Sequence, residues 1–261
     1  MDLGLEGKRA VVTGASKGIG LAVARRLVAE GAAVVVGSRH SSAELDEQRN
    51  DGEVVHVGVD LSDEIGPSQL VEVALSGGSV DILVNNAGAV TPRLDGFTSI
   101  TDEQWSATMA LTFMAAVRTT RAILPHMIAR GTGSIVNNAS VNATLPDPLV
   151  IDYGAAKAAL ANFSKALSKE VGRHGIRVNA VSAGPVSTEL WLGADGVAAT
   201  VSTAKGANPE DVTHEAVKDT ATGRFTTPEE VADLIVFLAS SRTSNVTGAN
   251  YLVDGGLSQG L

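Results

Sequence analysis

Tyr153 and Lys157 stand four residues apart, and Ser140 lies 13 residues before the tyrosine. The stretch Asp152–Gly172 reads as a helix, so that spacing puts the phenol and the ammonium on one face. A phenol ionises near pH 10, and moving that value three units toward neutrality takes about 4 kcal/mol. A cation one helical turn away is the most direct source of such stabilisation. Ser140 comes just after an apolar run, and its hydroxyl can donate to the same oxygen as the phenol. The three would polarise and protonate an oxygen that gains negative charge, chemistry worth about 10²–10⁴-fold in rate. A Tyr-x3-Lys pair alone is usually a surface contact. The chain holds only two tyrosines, so Tyr153 has little competition for the role.

The elements that must position these groups follow from hydrophobic periodicity. Short β-branched runs at Arg9–Thr13, Ala33–Val36, Val54–Val59, Ile82–Val84, Ser134–Asn137 and Ile176–Val181 read as strands. Between them Ile19–Glu30, Pro67–Ser76, Asp102–Ala129, Asp152–Gly172 and Pro228–Ser240 read as helices. Runs apolar on both faces, alternating with helices, predict a doubly wound α/β fold of Rossmann type. Its parallel sheet would be covered on both sides. No repeat or linker divides the chain, so residues 1–261 are expected to form a single domain. Ser187–Thr226 is long, mixed and dotted with glycine, and is expected to be a loop acting as a substrate lid.

The turn after the first strand reads Thr13-Gly14-Ala15-Ser16-Lys17-Gly18-Ile19-Gly20. Gly14 permits the tight turn, Gly18 lets backbone approach a pyrophosphate, and Gly20 removes a side chain where helix and strand touch. N–H groups at the following helix start supply donors and partial positive charge for phosphates. Gly14, Ser16, Lys17, Gly18, Ile19 and Gly20 are therefore expected to bind a dinucleotide. An acidic residue about 20 residues further on would hold a ribose 2′-OH. Here the second strand ends instead in Gly37, Ser38, Arg39 and His40. Arg39, with Ser38 beside it, suits a 2′-phosphate, and Lys17 could close on it from the other side. Two charge-assisted bonds of about 1.5–3 kcal/mol each would outweigh an unfavourable overall field. NADP(H) is thus favoured over NAD(H); the alternative is that both cations are solvated surface.

Composition narrows the classes further. The chain has 261 residues, 44% of them hydrophobic, enough to bury a sizeable core. Zero cysteines exclude disulfides, thiolate metal sites and a cysteine nucleophile, and no metal site is expected. A net charge of −9 and 3% aromatic content argue against nucleic acid as a partner. Met1–Arg9 carries no charged-then-apolar leader, and the apolar runs fall far short of the roughly 20 residues that span a bilayer. A protein free of the membrane, in the cytoplasm, is expected.

In order and spacing the motifs resemble the short-chain dehydrogenase/reductase family, nearly end to end. They are Thr13-Gly14-x3-Gly18-x-Gly20, Asp60-Leu61, Asn85-Asn86-Ala87-Gly88, Ser140, Tyr153-x3-Lys157, Asn179-Ala180-Val181 and Asp254-Gly255-Gly256. Within the family the chain is most similar to 3-oxoacyl-carrier-protein-reductase-like members, which are commonly homotetramers. The resemblance implies hydride transfer between a nicotinamide and a carbonyl or its secondary alcohol. Ser140 and Tyr153 would then serve the reacting oxygen, while Lys157 also reaches the cofactor ribose. It further implies Asp60, with Leu61, near the adenine, and Asn86, Ala87 and Gly88 on the ribose side. Gly184, Val186 and Thr188 would hold the nicotinamide end. Asn85 and Gly88 could equally serve only to shape the turn.

Two positions depart from the family pattern. Thr112 stands where the family has an Asn thought to hold a proton-relay water, and its hydroxyl offers a shorter donor–acceptor set. Ala183 replaces the usual Pro before Gly184. The expected substrate wall is Val141, Asn142, Thr144, Leu145, Leu149 and Val150, with Leu190 and Trp191 from the lid. Mostly apolar, it suits an uncharged or weakly polar ketone; Trp191 is either wall or lid packing. Arg130 and Arg173 lie near where related reductases meet an acyl-carrier protein, and solvated surface is the favoured reading of both. The small apolar residues Ala155, Ala156, Ala158, Ala159, Ala161 and Phe163 exceed one helix face, which suits a homotetramer or homodimer. Rival readings are a non-catalytic NADP-binding sensor, a reductase of acyl-carrier thioesters, and a related lyase or epimerase.

Overall fold

The computed structural model describes residues 1–50 and 54–259, with backbone alone at 49 and 50; residues 51–53 and 260–261 of the expected 1–261 domain lie outside it. The described strands are β1 (Arg9–Thr13), β2 (Ala33–Ser38), β3 (Val54–Gly58), β4 (Ile82–Asn85), β5 (Gly133–Asn138), β6 (Ile176–Ala183) and β7 (Asn250–Val253). They form one parallel sheet in the order β3-β2-β1-β4-β5-β6-β7. Val11 sits between Val35 and Leu83 across the three central strands. Side chains alternate across a strand, so Val34 and Val36 face one way and Val35 the other.

Helices cover both faces. On one side α1 (Gly18–Ala29) and, later in the chain, 228–239 bury Leu21, Leu27, Ile235 and Leu238 against Val34 and Val36. The hydrophilic α2 (Ala43–Asn50) adds Leu45 there. On the other side lie α3 (Gly66–Ser76), α4 (Asp102–Met109), α5 (Ala115–Arg130) and α6 (Ile151–Val171). Leu70, Ile123 and Leu167 pack there against Val11, Val35 and Leu83. Burial on both faces explains why the strands read as unbroken apolar runs.

Three departures from the sequence expectation have physical reasons. The expected helix at 102–129 is interrupted by a π-helical turn, Ala110–Met114, which carries Thr112 at its centre. Such turns recur at functional sites and leave no hydrophobic signature. The 187–226 excursion is mostly helical, with α7 (Glu189–Leu192), α8 (Val197–Lys205) and α9 (Pro209–Val217). These helices are short and mixed in character, which hid their period. The edge strand β7 and the helix α2 leave no apolar period in the sequence, because one is largely exposed and the other buries little beyond Leu45.

The excursion is tied at its base. Val186 and Thr226 form a parallel bridge, and Ser187 N donates to Thr226 O at 2.9 Å. Thr227 then starts α10 (Pro228–Ala239) with a capping box shared with Glu230. No helix among the described residues is long and apolar enough to cross a membrane.

Candidate functional site

The strand order reverses between β1 and β4, and in open parallel sheets the crevice beyond the carboxyl ends at that point takes ligands. A cleft of about 870 Å³ opens there. Its border runs from Gly14 and Gly18 past Arg39 and Asp60 to Ser140 and Tyr153. Motif residues from the ends of β1, β3, β4 and β5 thus converge with Tyr153 and Lys157 on one space.

The glycine turn is built as a cradle. Gly14 and Gly18 have φ of +67° and +58°, a region that disfavours side chains. α1 begins with no side-chain cap and no acidic residue in its first turn, so its leading N–H groups face the cleft unneutralised. That donor set fits a pyrophosphate. Gly20 does not border the cleft: a Cβ there would meet Gly14 O at 2.4 Å and Asn86 Nδ2 at 2.5 Å. Its part is close packing beneath the turn. Asn86 is spent on the same scaffold, donating to Thr13 O and Gly14 O and accepting from Asn138 Nδ2 at 2.9 Å.

At the far end, Ser38 is buried and Arg39 exposed. Asp60 Oδ1 accepts from the backbone and hydroxyl of Ser62. These bonds and the nearby Arg39 charge hold its carboxyl below the usual range. Lys17 was expected to face the same phosphate as Arg39; here its Nζ pairs with Glu189 Oε2 at 3.0 Å, reaching across to α7. Gly18 also abuts this segment, for a Cβ would lie 3.3 Å from the Thr188 methyl. Ser16, Ile19, Leu61, Ala87, Gly88, Gly184, Val186 and Thr188 all border the cleft.

At the reacting end, Lys157 is buried, its Nζ donating to Asn138 O at 2.5 Å and lying 5.6 Å from the Tyr153 ring centroid. Burial pushes its pKa down to about 8. Burial also raises the Tyr153 phenol above its ordinary value, with the Ser140 hydroxyl pulling the other way. This differs from the expectation of an acidified phenol. Desolvation exceeds the help of the Ser140 hydroxyl, so the phenol keeps its proton at neutral pH. Ser140 Oγ donates to Asn142 Oδ1 and accepts from Asn142 N, each at 3.2 Å.

Thr112 is 1% exposed, and its Oγ1 has no hydrogen-bond partner. A Cβ on Gly88 would stand 3.7 Å from Lys157 Nζ and 3.8 Å from Thr112 Oγ1. Gly88 thus lies beside both the ammonium and this hydroxyl, a proximity invisible in the sequence.

The wall toward the solvent mouth carries Val141, Asn142, Leu145, Leu149, Val150, Leu190 and Trp191. Thr144, expected among them, lies outside the border and turns its hydroxyl back to Val141 O. Trp191 packs edge-on against Phe225, centroids 5.7 Å apart, while also bordering the cleft. Arg130 binds Asp81 and Val80 O ahead of β4, and Arg173 precedes β6. Both therefore lie at the amino ends of the strands, opposite the cleft. Sequence reasoning missed Asn138, whose carbonyl seats Lys157, and a buried Arg93–Asp152 ion pair beside Tyr153.

Fold and site together define a nicotinamide-dinucleotide oxidoreductase. A family model described as enoyl-(acyl carrier protein) reductase matches residues 14–258. YvrD, an uncharacterized oxidoreductase of Bacillus subtilis (strain 168), is 35% identical over 272 residues, covering 100% of both chains. The 3-oxoacyl-(acyl-carrier-protein) reductase FabG of Thermotoga maritima is 35% identical over 259 residues, covering 97% of this chain and 98% of the relative. L-sorbose reductase from Gluconobacter frateurii, solved with NADPH and L-sorbose, matches with a TM-score of 0.91 at 38% identity over 100% of each chain. The chain belongs to the short-chain dehydrogenase/reductase family.

Proposed function

We propose that the protein is an NADP(H)-dependent enzyme that interconverts an uncharged or weakly polar ketone and its secondary alcohol. The observation that carries the reading is the convergence of Ser140, Tyr153 and Lys157 at one end of a cleft whose other end is the glycine cradle. When bound, the nicotinamide supplies or accepts the hydride. The α1 N-terminus would hold the pyrophosphate, and Arg39 with Ser38 would meet the 2′-phosphate. The relative solved with NADPH supports that preference.

In reduction the Ser140 hydroxyl turns from Asn142 to the substrate oxygen and polarises it. Tyr153, protonated at neutral pH, gives its proton to that oxygen as negative charge develops. The Lys157 ammonium then stabilises the phenolate, and Thr112 offers a hydroxyl to the space through which the proton is replaced. The 187–226 excursion, hinged at the Val186–Thr226 bridge, serves as the lid. The wall of Val141, Leu145, Leu149, Val150, Leu190 and Trp191 is uncharged, which favours neutral substrates. On α6 Ala156 is buried in the chain's own core, while Ala155 is exposed and Ala158, Ala159 and Ala161 are half-buried, small apolar surface that suits self-association as a dimer or tetramer.

A panel of ketones and alcohols with NADPH or NADH, followed at the reduced-nicotinamide absorbance, tests the reading. Turnover with NADPH that vanishes in Tyr153→Phe is expected. Cofactor binding without turnover across the panel would instead identify a sensor.

A further inference from the structure

We propose that Arg93, Asp152 and Thr108 form a buried clamp that positions Tyr153 and the Thr112 turn against each other. The proposal rests on the reading of Tyr153 as proton donor. Asp152, 1% exposed, immediately precedes Tyr153 in the first turn of α6. Arg93 turns both Nε and Nη2 onto Asp152 Oδ2, and Thr108 Oγ1 donates to the same oxygen at 2.7 Å. The ion pair is almost wholly enclosed, with side-chain exposures of 9% and 2%. Arg93 N also donates to Leu149 O at 2.7 Å.

Three segments meet on that one oxygen. Arg93 belongs to the stretch after β4 that contributes Val90 to the cleft. Thr108 lies at the end of α4, one helical turn before Thr112. Asp152 opens α6, whose N-cap, Val150, makes no side-chain hydrogen bond of its own. The clamp ties that uncapped start to two other segments and fixes the angle at which Tyr153 enters the cleft.

A buried ion pair is a poor route to stability, because apolar residues of similar size often hold a fold as well. Two arms of the guanidinium fork on one carboxylate oxygen, with the Thr108 hydroxyl on the same atom, instead fix the direction of that oxygen as well as its charge. Next to a phenol that must reach one oxygen, direction is what the reaction needs.

The test replaces the pair with apolar side chains, Arg93→Met with Asp152→Leu, and separately removes one donor, Thr108→Val. The double variant is expected to fold and bind NADPH as the parent does. Its kcat should fall about 10- to 100-fold with little change in KM, the signature of lost orientation. Arg93→Lys, which keeps the charge but not the fork, should recover only part of the rate. A folded double variant with the parent's kcat overturns the proposal. If the double variant does not fold, Thr108→Val decides: a lowered kcat at unchanged melting temperature supports the clamp, and an unchanged kcat refutes it. If the parent turns over no ketone, the functional reading fails on its own, and amide hydrogen exchange decides the clamp. Faster exchange confined to 89–96 and 149–157 supports it, and unchanged exchange there refutes it.

Discussion

Lys157→Met should change how stability depends on pH, by an amount the structure sets. Burial holds the lysine at about 8 against the usual 10.5. The folded chain therefore prefers the neutral amine, and between those values the unfolded chain binds more protons. Stability of the parent must then rise with pH through this window, the opposite of a lysine that gains an anionic partner. The depression corresponds to about 3 kcal/mol in all, of which about 2 kcal/mol falls between pH 7 and 9.5. Urea unfolding of parent and Lys157→Met across that range, without cofactor, gives two stability curves. Their difference cancels the groups common to both. The gap is expected to move by about 2 kcal/mol in favour of the parent as pH rises. A constant gap, or one moving the other way, would refute the claim that the ammonium is held in a desolvated seat. The same titration sets the reaction's alkaline limit: kcat/KM for reduction should fall above about pH 8 as the ammonium is lost.

Three further outcomes follow from the geometry. Arg39→Ser should weaken NADPH binding about 10- to 100-fold and leave NADH nearly unchanged, read by quenching of protein fluorescence. Gly20→Ala forces a Cβ against Gly14 O, at 2.4 Å, so it should cost about 1–3 kcal/mol of stability and blunt cofactor binding together. Thr112→Val deletes a buried hydroxyl that has no partner. Its melting temperature should hold or rise while kcat falls; an unchanged kcat and pH profile would remove Thr112 from the proton path.

The sequence by itself determined the parallel sheet, because strands buried on both faces must be apolar throughout, as Val34, Val35 and Val36 are. It determined the glycine cradle and the Tyr153–Lys157 face, because both depend on spacing along neighbouring residues. Tertiary structure alone decided what depends on distant segments meeting. Thr112 reaches the Lys157 neighbourhood only through a π-helical turn and across the bare Gly88. Lys17 turned to Glu189, a residue 172 positions away. The phenol's proton affinity is high because burial, a property of the whole assembled site, outweighs the hydrogen bond with Ser140.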